Sequence, residues 1–270
     1  MLGVCLKRNT VIIYIFVTAK VIIKDFLTFV NNDFNQYFEL KTMSFIVIEG
    51  LDGSGKSTQV KRLCLYLKEK NANFEYLHFP VTEEQNFGML VSRFLRGELG
   101  DIDSVDPWVV AMLFAGNRWA LANKIRNWLE DRTLVIVDRY VYSNIAYQVA
   151  KIKGNDYKQK LRNWIYSLEY ETFKIPKPDI NIWLDAPITF VETQLTSKRS
   201  GDDRVYLQGV DDIHETIPFQ KLVYNEYEAC CTEFSDLIRV KCHDINGNME
   251  DENTIFRKLL DTITNKIGTI

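Results

Sequence analysis

The chain is short of cysteine. Five are present, an odd number, and none stands in a C-x-x-C pair. That argues against a disulfide framework or a zinc site and for a reducing compartment. Long hydrophobic runs are missing too. The most apolar early segments, Val11 to Phe16 and Val21 to Ile23, are interrupted by Lys20, Lys24 and Asp25. No run approaches the roughly 20 residues of a membrane-spanning helix, so no membrane is expected as a partner. There is no surplus of positive charge either, the net charge being −3. A global field that would attract nucleic acid or an anionic membrane is therefore absent. A basic patch with an aromatic platform for a nucleic-acid strand is lacking as well, and so are internal repeats and low-complexity tracts. What remains is an ordinary globular composition, 46% hydrophobic and 26% charged, in 270 residues. That length suits one α/β domain with a sizeable core.

The first 42 residues differ from the rest. Their basic start (Lys7, Arg8) and apolar Val11–Ala19 look like a short signal or anchor, but Asp25, Asp33 and Glu39 count against an organelle presequence. The preferred reading is an N-terminal extension over 1–42 without a targeting role, followed by a nucleotide-binding domain over 43–270. A mitochondrial presequence is the alternative.

The most informative stretch begins just after Met43. Phe45-Ile-Val-Ile supplies an apolar run for a buried parallel strand, and the chain then fits G-x-x-x-x-G-K-[ST] with Gly50, Gly55, Lys56 and Ser57. Val60, Leu63, Cys64 and Leu67 follow at helical spacing. Strand, loop and helix are the context the motif requires. Glycines at 50, 53 and 55 predict a tight turn whose N–H groups point inward at phosphate oxygens, at the start of a helix. The whole run Gly50, Leu51, Asp52, Gly53, Ser54, Gly55, Lys56, Ser57 and Thr58 is the expected ATP site. Lys56 would reach the β- and γ-phosphates, and the Ser57 hydroxyl would sit on Mg²⁺.

Further strands are predicted at Phe74–Phe79, Thr133–Val137, Asp179–Leu184 and Ile238–Cys242. Helices are predicted over Gly88–Leu95, Trp108–Leu129 (capped by Asp106-Pro107), from Tyr140 through Gln148, from Ile188, over Phe219–Phe234 and over Thr254–Ile267. A connector ends at Pro176-Lys-Pro178. Five β segments alternating with helices make a five-stranded parallel sheet, flanked by helices on both faces, the economical fold. Asp138 and Arg139 stand at the C-terminal end of a strand, where α/β sheets place their ligands, so Asp138 is a candidate second contact to Mg²⁺.

With these pieces in place, the chain resembles the thymidylate kinases across about residues 44 to 265. The matching stretches are Glu49–Thr58, Phe79-Pro80, Leu113-Phe-Ala-Gly-Asn-Arg-Trp119, Asp138-Arg-Tyr-Val-Tyr-Ser-Asn-Ile-Ala-Tyr-Gln148, Pro176-Lys-Pro-Asp179 and Asp212-Ile-His-Glu215. The resemblance implies a P-loop nucleoside monophosphate kinase fold with a mobile lid. It also implies transfer of the ATP γ-phosphoryl group to dTMP with Mg²⁺, in dTTP supply, by a homodimer. Carried over residue by residue, Phe114 stacks on the base, and Arg118 bonds the base carbonyl. Arg139 grips the dTMP phosphate, Asp52 holds the 3′-hydroxyl, and Tyr147 crowds the 2′ position. Ser143, Asn144 and Gln148 line the same wall. The need for ATP points to a cytoplasmic setting, with nuclear or mitochondrial pools as alternatives.

In this family a catalytic arginine comes from the P-loop or from the lid. Here Asp52-Gly53-Ser54 supplies none, so the lid over about 198–212 is expected to provide it from Arg199, Arg204 or Lys198. Two features depart from the family. No arginine follows Phe79-Pro80, where Val81-Thr82-Glu83-Glu84 stands, which leaves Arg139 alone or assisted by Arg93 or Arg96. The lid is also longer and ends in Asp-Ile-His-Glu, with His214 read as structural. The alternatives are a kinase of another pyrimidine monophosphate (dUMP, UMP or CMP) and a catalytically weakened nucleotide-binding homologue.

Overall fold

The structure is a computed structural model that describes residues 44–196, 212–268 and 270. The extension, the domain start at Met43, and the lid with Arg199 and Arg204 lie outside the described residues.

Five strands, β1 (Phe45–Glu49), β2 (Phe74–His78), β3 (Leu134–Asp138), β4 (Ile180–Asp185) and β5 (Leu237–Lys241), form one parallel sheet in the order β2-β3-β1-β4-β5. This is the sheet expected from the sequence. The bounds of β3, β4 and β5 each sit one residue from the predicted ones. Polarity marks where burial changes, whereas Asp138 still pairs with Ile48, and Asp185 with Lys241.

Alternation along the strands divides the core. Phe45 and Val47 join Val135, Val137 and Trp183 on one face, beneath α3 (Pro107–Glu130), α4 (Val141–Val149), α5 (Asn155–Ser167) and α7 (Ile217–Glu233). Ile46 and Ile48 join Ile136 and Ile182 on the other, against Val60, Leu63 and Leu67 of α1 (Lys56–Glu69) and Ile255, Leu259 and Ile263 of α8 (Glu252–Ile267). The three inner strands, β1, β3 and β4, are buried along their whole length and so read as largely apolar runs, whereas the edge strands β2 and β5 are partly exposed and carry Glu75 and Arg239. Two shorter helices, α2 (Phe87–Leu95) and α6 (Ile188–Thr196), complete the described elements. Helix α3 starts as expected, with Pro107 in its first turn and the Asp106 carboxylate accepting from Trp108 N at 2.8 Å.

Helix α5 and the wide π-type turn after it, Leu168–Thr172, were read from sequence as connector. The reason is physical. Only Leu161, Arg162 and Ile165 of α5 are buried. One of its main anchors is ionic: Arg162 reaches Glu226 and Glu233 of α7 at 2.9 and 2.7 Å. Hydrophobic periodicity cannot register a helix anchored that way.

The order places β1 between β3 and β4, which lead away in opposite directions. The chain segments leaving β1 at Gly50 and β3 at Arg139 therefore start side by side, at the crevice where such sheets bind ligands.

Candidate active site

The loop after β1 has the geometry its glycines predict at two of three positions. Gly53 and Gly55 adopt φ of 74° and 80°, the left-handed region that favours glycine. Gly50 is not among the positive-φ residues. Its need is space: a Cβ there would stand 3.0 Å from Ser54 Oγ and 3.3 Å from the Leu184 carbonyl. Gly55 caps α1 and, with no side chain, supplies no acceptor to the first-turn N–H groups. Lys56 occupies the first helical position, where its charge adds to the positive end of the helix dipole. Both features favour an anion.

Behind the loop, Lys56 Nζ and Asp138 Oδ1 form a buried ion pair at 2.5 Å. Burial lowers the lysine's pKa, with the Arg139 charge adding to that, while Asp138 offsets part of the effect. Burial opposes ionisation of Asp138 too, but the charges of Lys56, His78 and Arg139 outweigh it and hold the carboxyl below its ordinary range. Ser54 Oγ is buried without a protein partner.

A cavity of about 640 Å³ opens in front of this loop. It is lined by residues 51–58 and, opposite them, by Phe114, Arg118, Arg139, Ser143, Asn144, Tyr147 and Gln148. The structure thus brings the two predicted sets together around one space. Gly50 and Asp138 stand just behind it and reach it through Arg139 and Lys56. Arg93 and Arg96, candidates for an assisting phosphate ligand, both pair with Glu98, and neither lines the cavity. Val81, Thr82 and Glu83, which follow Phe79-Pro80, line it and bring no arginine.

Arg139 is a non-glycine residue at φ 67°. Such a conformation persists only where the surroundings impose it. Its N–H bonds the Ile48 carbonyl at 2.9 Å, and its guanidinium donates to Gly50 O at 3.0 Å and Asp52 Oδ1 at 2.6 Å. The ring of Tyr147 lies 5.2 Å beneath it. Asp52 also accepts from Tyr147 Oη at 2.7 Å and Gln220 Nε2 at 2.9 Å.

Several supporting residues escaped the sequence reading. Glu49 ends β1 fully buried, accepting from Tyr140 N, Ser143 Oγ and Tyr227 Oη at 2.9, 2.5 and 3.2 Å. Burial raises its pKa, partly offset by the Ser143 and Tyr140 hydrogen bonds. Ser143 therefore spends its hydroxyl on Glu49 as well as lining the wall. Gln220 ties Asp52 to the His214 carbonyl. Glu169, on the π-type turn, takes Arg118 in a two-pronged grip at 2.5 and 2.7 Å and Asn144 Nδ2 at 2.9 Å. Only long-range contacts reveal what these residues do.

His214 lines the cavity, stacks on Phe219 and is buried. Burial, then the nearby Lys151 charge, depress its pKa well below the usual range, so it stays neutral. Its carbonyl accepts from Gln220 Nε2 at 3.0 Å. Its Nε2, however, has no protein partner.

Strand order, phosphate loop and the aromatic, arginine-bearing wall facing it put the chain in the class of P-loop nucleoside monophosphate kinases. A family model described as thymidylate kinase matches residues 48–252. The chain is 31% identical over 188 residues to a thymidylate kinase of Plasmodium falciparum (isolate 3D7), covering 70% of this chain and 77% of that protein. It is 32% identical over 225 residues to a putative thymidylate kinase of Invertebrate iridescent virus 6, covering 83% and 88%. Among solved structures, a thymidylate kinase from Candida albicans aligns with a TM-score of 0.59 at 27% identity, over 83% of this chain and 93% of that one. The chain belongs to the thymidylate kinase family.

Proposed function

We propose that this enzyme transfers the γ-phosphoryl group of ATP to the 5′-phosphate of dTMP, giving ADP and dTDP for dTTP synthesis. The observation that carries the reading is the single cavity bounded by Lys56 on one side and by Phe114, Arg118 and Arg139 on the other. Family membership carries it from nucleotide kinase to dTMP kinase. The comparisons lend no support to a different pyrimidine monophosphate.

The roles follow from the chemistry. Phosphoryl transfer is catalysed mainly by positioning and by stabilising charge on the moving group. The loop N–H groups and Lys56 hold the ATP phosphates in place. Arg139, fixed in its strained conformation, presents a planar fork to the dTMP phosphate. Asp52 and Tyr147, hydrogen-bonded to one another, face the sugar. Phe114 stacks on the base. The attacking phosphate is already an anion near neutral pH, so His214 has no proton to remove.

Mg²⁺ is the proposed metal. Ser57 in the loop and Asp138 behind it offer oxygen donors only, and among the described residues no group of three or more His, Cys, Asp or Glu could hold a metal. That suits a hard ion carried largely by phosphate oxygens and water. When bound, it would neutralise charge shared by the β- and γ-phosphates. Arg199, Arg204 or Lys198 supplies the remaining cation from the lid. We also propose a homodimer and a cytoplasmic setting. An apolar stripe on α3, Val109, Met112 and Trp119, each about half exposed, supports the first. The free state of the four described cysteines supports the second.

ADP release by the full chain with dTMP, dUMP, UMP, CMP and AMP tests the reading. Turnover is expected to be fastest with dTMP. Release with UMP but not dTMP would reject the role of Tyr147, and no release with any acceptor would leave only nucleotide binding.

A further inference from the structure

Three polar groups on the cavity wall have orientations that their partners dictate. Asn144 Nδ2 donates to the Ala111 carbonyl at 3.0 Å and to Glu169 Oε1 at 2.9 Å. The carbonyl can only accept, so the amide cannot be flipped without losing both bonds unless Glu169 carries a proton. Asn144 Oδ1 is therefore left as an acceptor, and it is buried without a protein partner. Arg118 gives its Nε and one terminal nitrogen to the same Glu169 carboxylate, which leaves the other terminal nitrogen outside the fork. Gln148 accepts from Lys151 Nζ at 2.8 Å through Oε1, which leaves its buried Nε2 as a donor without a partner. Asn144, Arg118 and Gln148 all line the cavity. Glu169 does not, and it is fully buried on the π-type turn, a distortion often found at functional sites.

We propose that Glu169 is a positioning residue that sets the hydrogen-bond polarity with which the cavity reads the base. Its two oxygens hold Arg118 from the Nε side, which leaves one donor, and share the amino group of Asn144 with the Ala111 carbonyl, which leaves one acceptor; Lys151 fixes a second donor at Gln148. Two donors and one acceptor complement the imide edge of thymine, which offers two carbonyls and one N–H. Cytosine presents an amino group and an unprotonated ring nitrogen in place of one carbonyl and the N–H, so it meets donor with donor and acceptor with acceptor. Such mismatches leave buried polar groups unpaired, which is where strong discrimination arises. This rests on the proposed dTMP kinase reading and deepens it. Glu169 touches no reacting atom and acts only through Arg118 and Asn144.

The test is kcat/KM for dTMP, dUMP and dCMP with wild type, Glu169→Gln and Glu169→Asp. Glutamine keeps the shape but loses the charge and one of the two acceptors, so the two-pronged grip on Arg118 is broken and its free donor is no longer aimed, while the Ala111 carbonyl still holds the Asn144 amide. The ratio of dTMP to dCMP is expected to fall by about tenfold or more in Glu169→Gln. It should stay near the wild-type value in Glu169→Asp even where absolute rates drop, because aspartate keeps the polarity. The dUMP to dCMP ratio should fall in parallel, since uracil has the same imide edge. A dTMP to dCMP ratio unchanged in Glu169→Gln overturns the inference, as does an equal collapse in both variants, which is the mark of mere destabilisation. Should Glu169→Gln fail to fold, Asn144→Ala removes the oriented acceptor while keeping the Glu169–Arg118 pair, and an unchanged ratio there is equally fatal. Failure of the wild type to phosphorylate dTMP would instead reject the underlying function, a result visible before any variant is made.

Discussion

The phosphate end and the base end of the cavity are built by different means. At the end we assign to phosphate one unbroken run, Leu51 to Thr58, lines the cavity, and Lys56 is backed there by its buried ion pair with Asp138. At the base end the surface comes from side chains of α3 and α4, held by a carboxylate from a third element far along the chain. A backbone cradle binds any triphosphate and tolerates little change in spacing. A side-chain network can change what it accepts by one substitution. The contrast separates the proposed chemistry, phosphoryl transfer, from the choice of acceptor.

The sharpest way to break that contrast is at the phosphate end. Lys56→Ala should lower kcat by about 10²-fold or more, whichever acceptor is used, because the lost charge faces the transferring group. It also leaves Asp138 buried without its cation, so the melting temperature should fall; breaking such a pair costs about 3–5 kcal/mol. ADP release and calorimetry measure the two effects. Next in size, Arg199→Ala and Arg204→Ala should depress kcat far more than dTMP affinity, if the lid carries the catalytic cation. Both single variants and the double variant turning over like wild type would remove the lid from the mechanism.

Arg139→Lys sharpens the comparison from the middle of the cavity. Charge survives but the planar fork does not, so kcat/KM for dTMP should fall by about 10- to 100-fold while the KM for ATP hardly moves. An equal rise in the KM for ATP would mean that Arg139 belongs to the donor side.

The smallest effect separates two buried carboxylates by the sign of their pH dependence. Glu49 has a raised pKa in the folded state, so its contribution is most favourable below its unfolded pKa and is lost as pH rises through the folded value. Asp138 has a lowered pKa, so its contribution is present above the unfolded pKa and is lost as pH falls through the folded value. In urea titrations across acid to neutral pH, Glu49→Gln should therefore gain stability relative to wild type as pH rises. A relative loss over that window would show that Glu49 is held as a favourable anion.

The same division governs what could be read from sequence. Gly50 to Ser57 was legible because its function requires residues at fixed local spacing between a strand and a helix. The middle of the sheet was legible because burial on both faces forces apolar runs in β1, β3 and β4. Phe114, Arg118 and Arg139 were legible only through resemblance, since an aromatic or a charge on a helix is ordinarily structural. The roles of Glu169, Glu49 and Gln220 were not legible. Each meets its partners across long stretches of chain, Gln220 lying 168 residues from Asp52 and Glu169 lying 51 from Arg118. Arg93 and Arg96, offered from sequence as alternative helpers of Arg139, each pair with Glu98, and neither lines the cavity.

The central claim is that donor and acceptor phosphates meet between Lys56 and Arg139. A thymidine and an adenosine joined 5′ to 5′ through a pentaphosphate chain measures this directly, because it spans both sites in one molecule. Inhibition competitive with both ATP and dTMP, at concentrations well below either KM, is the expected result. Inhibition competitive with ATP alone would mean that the pyrimidine binds elsewhere.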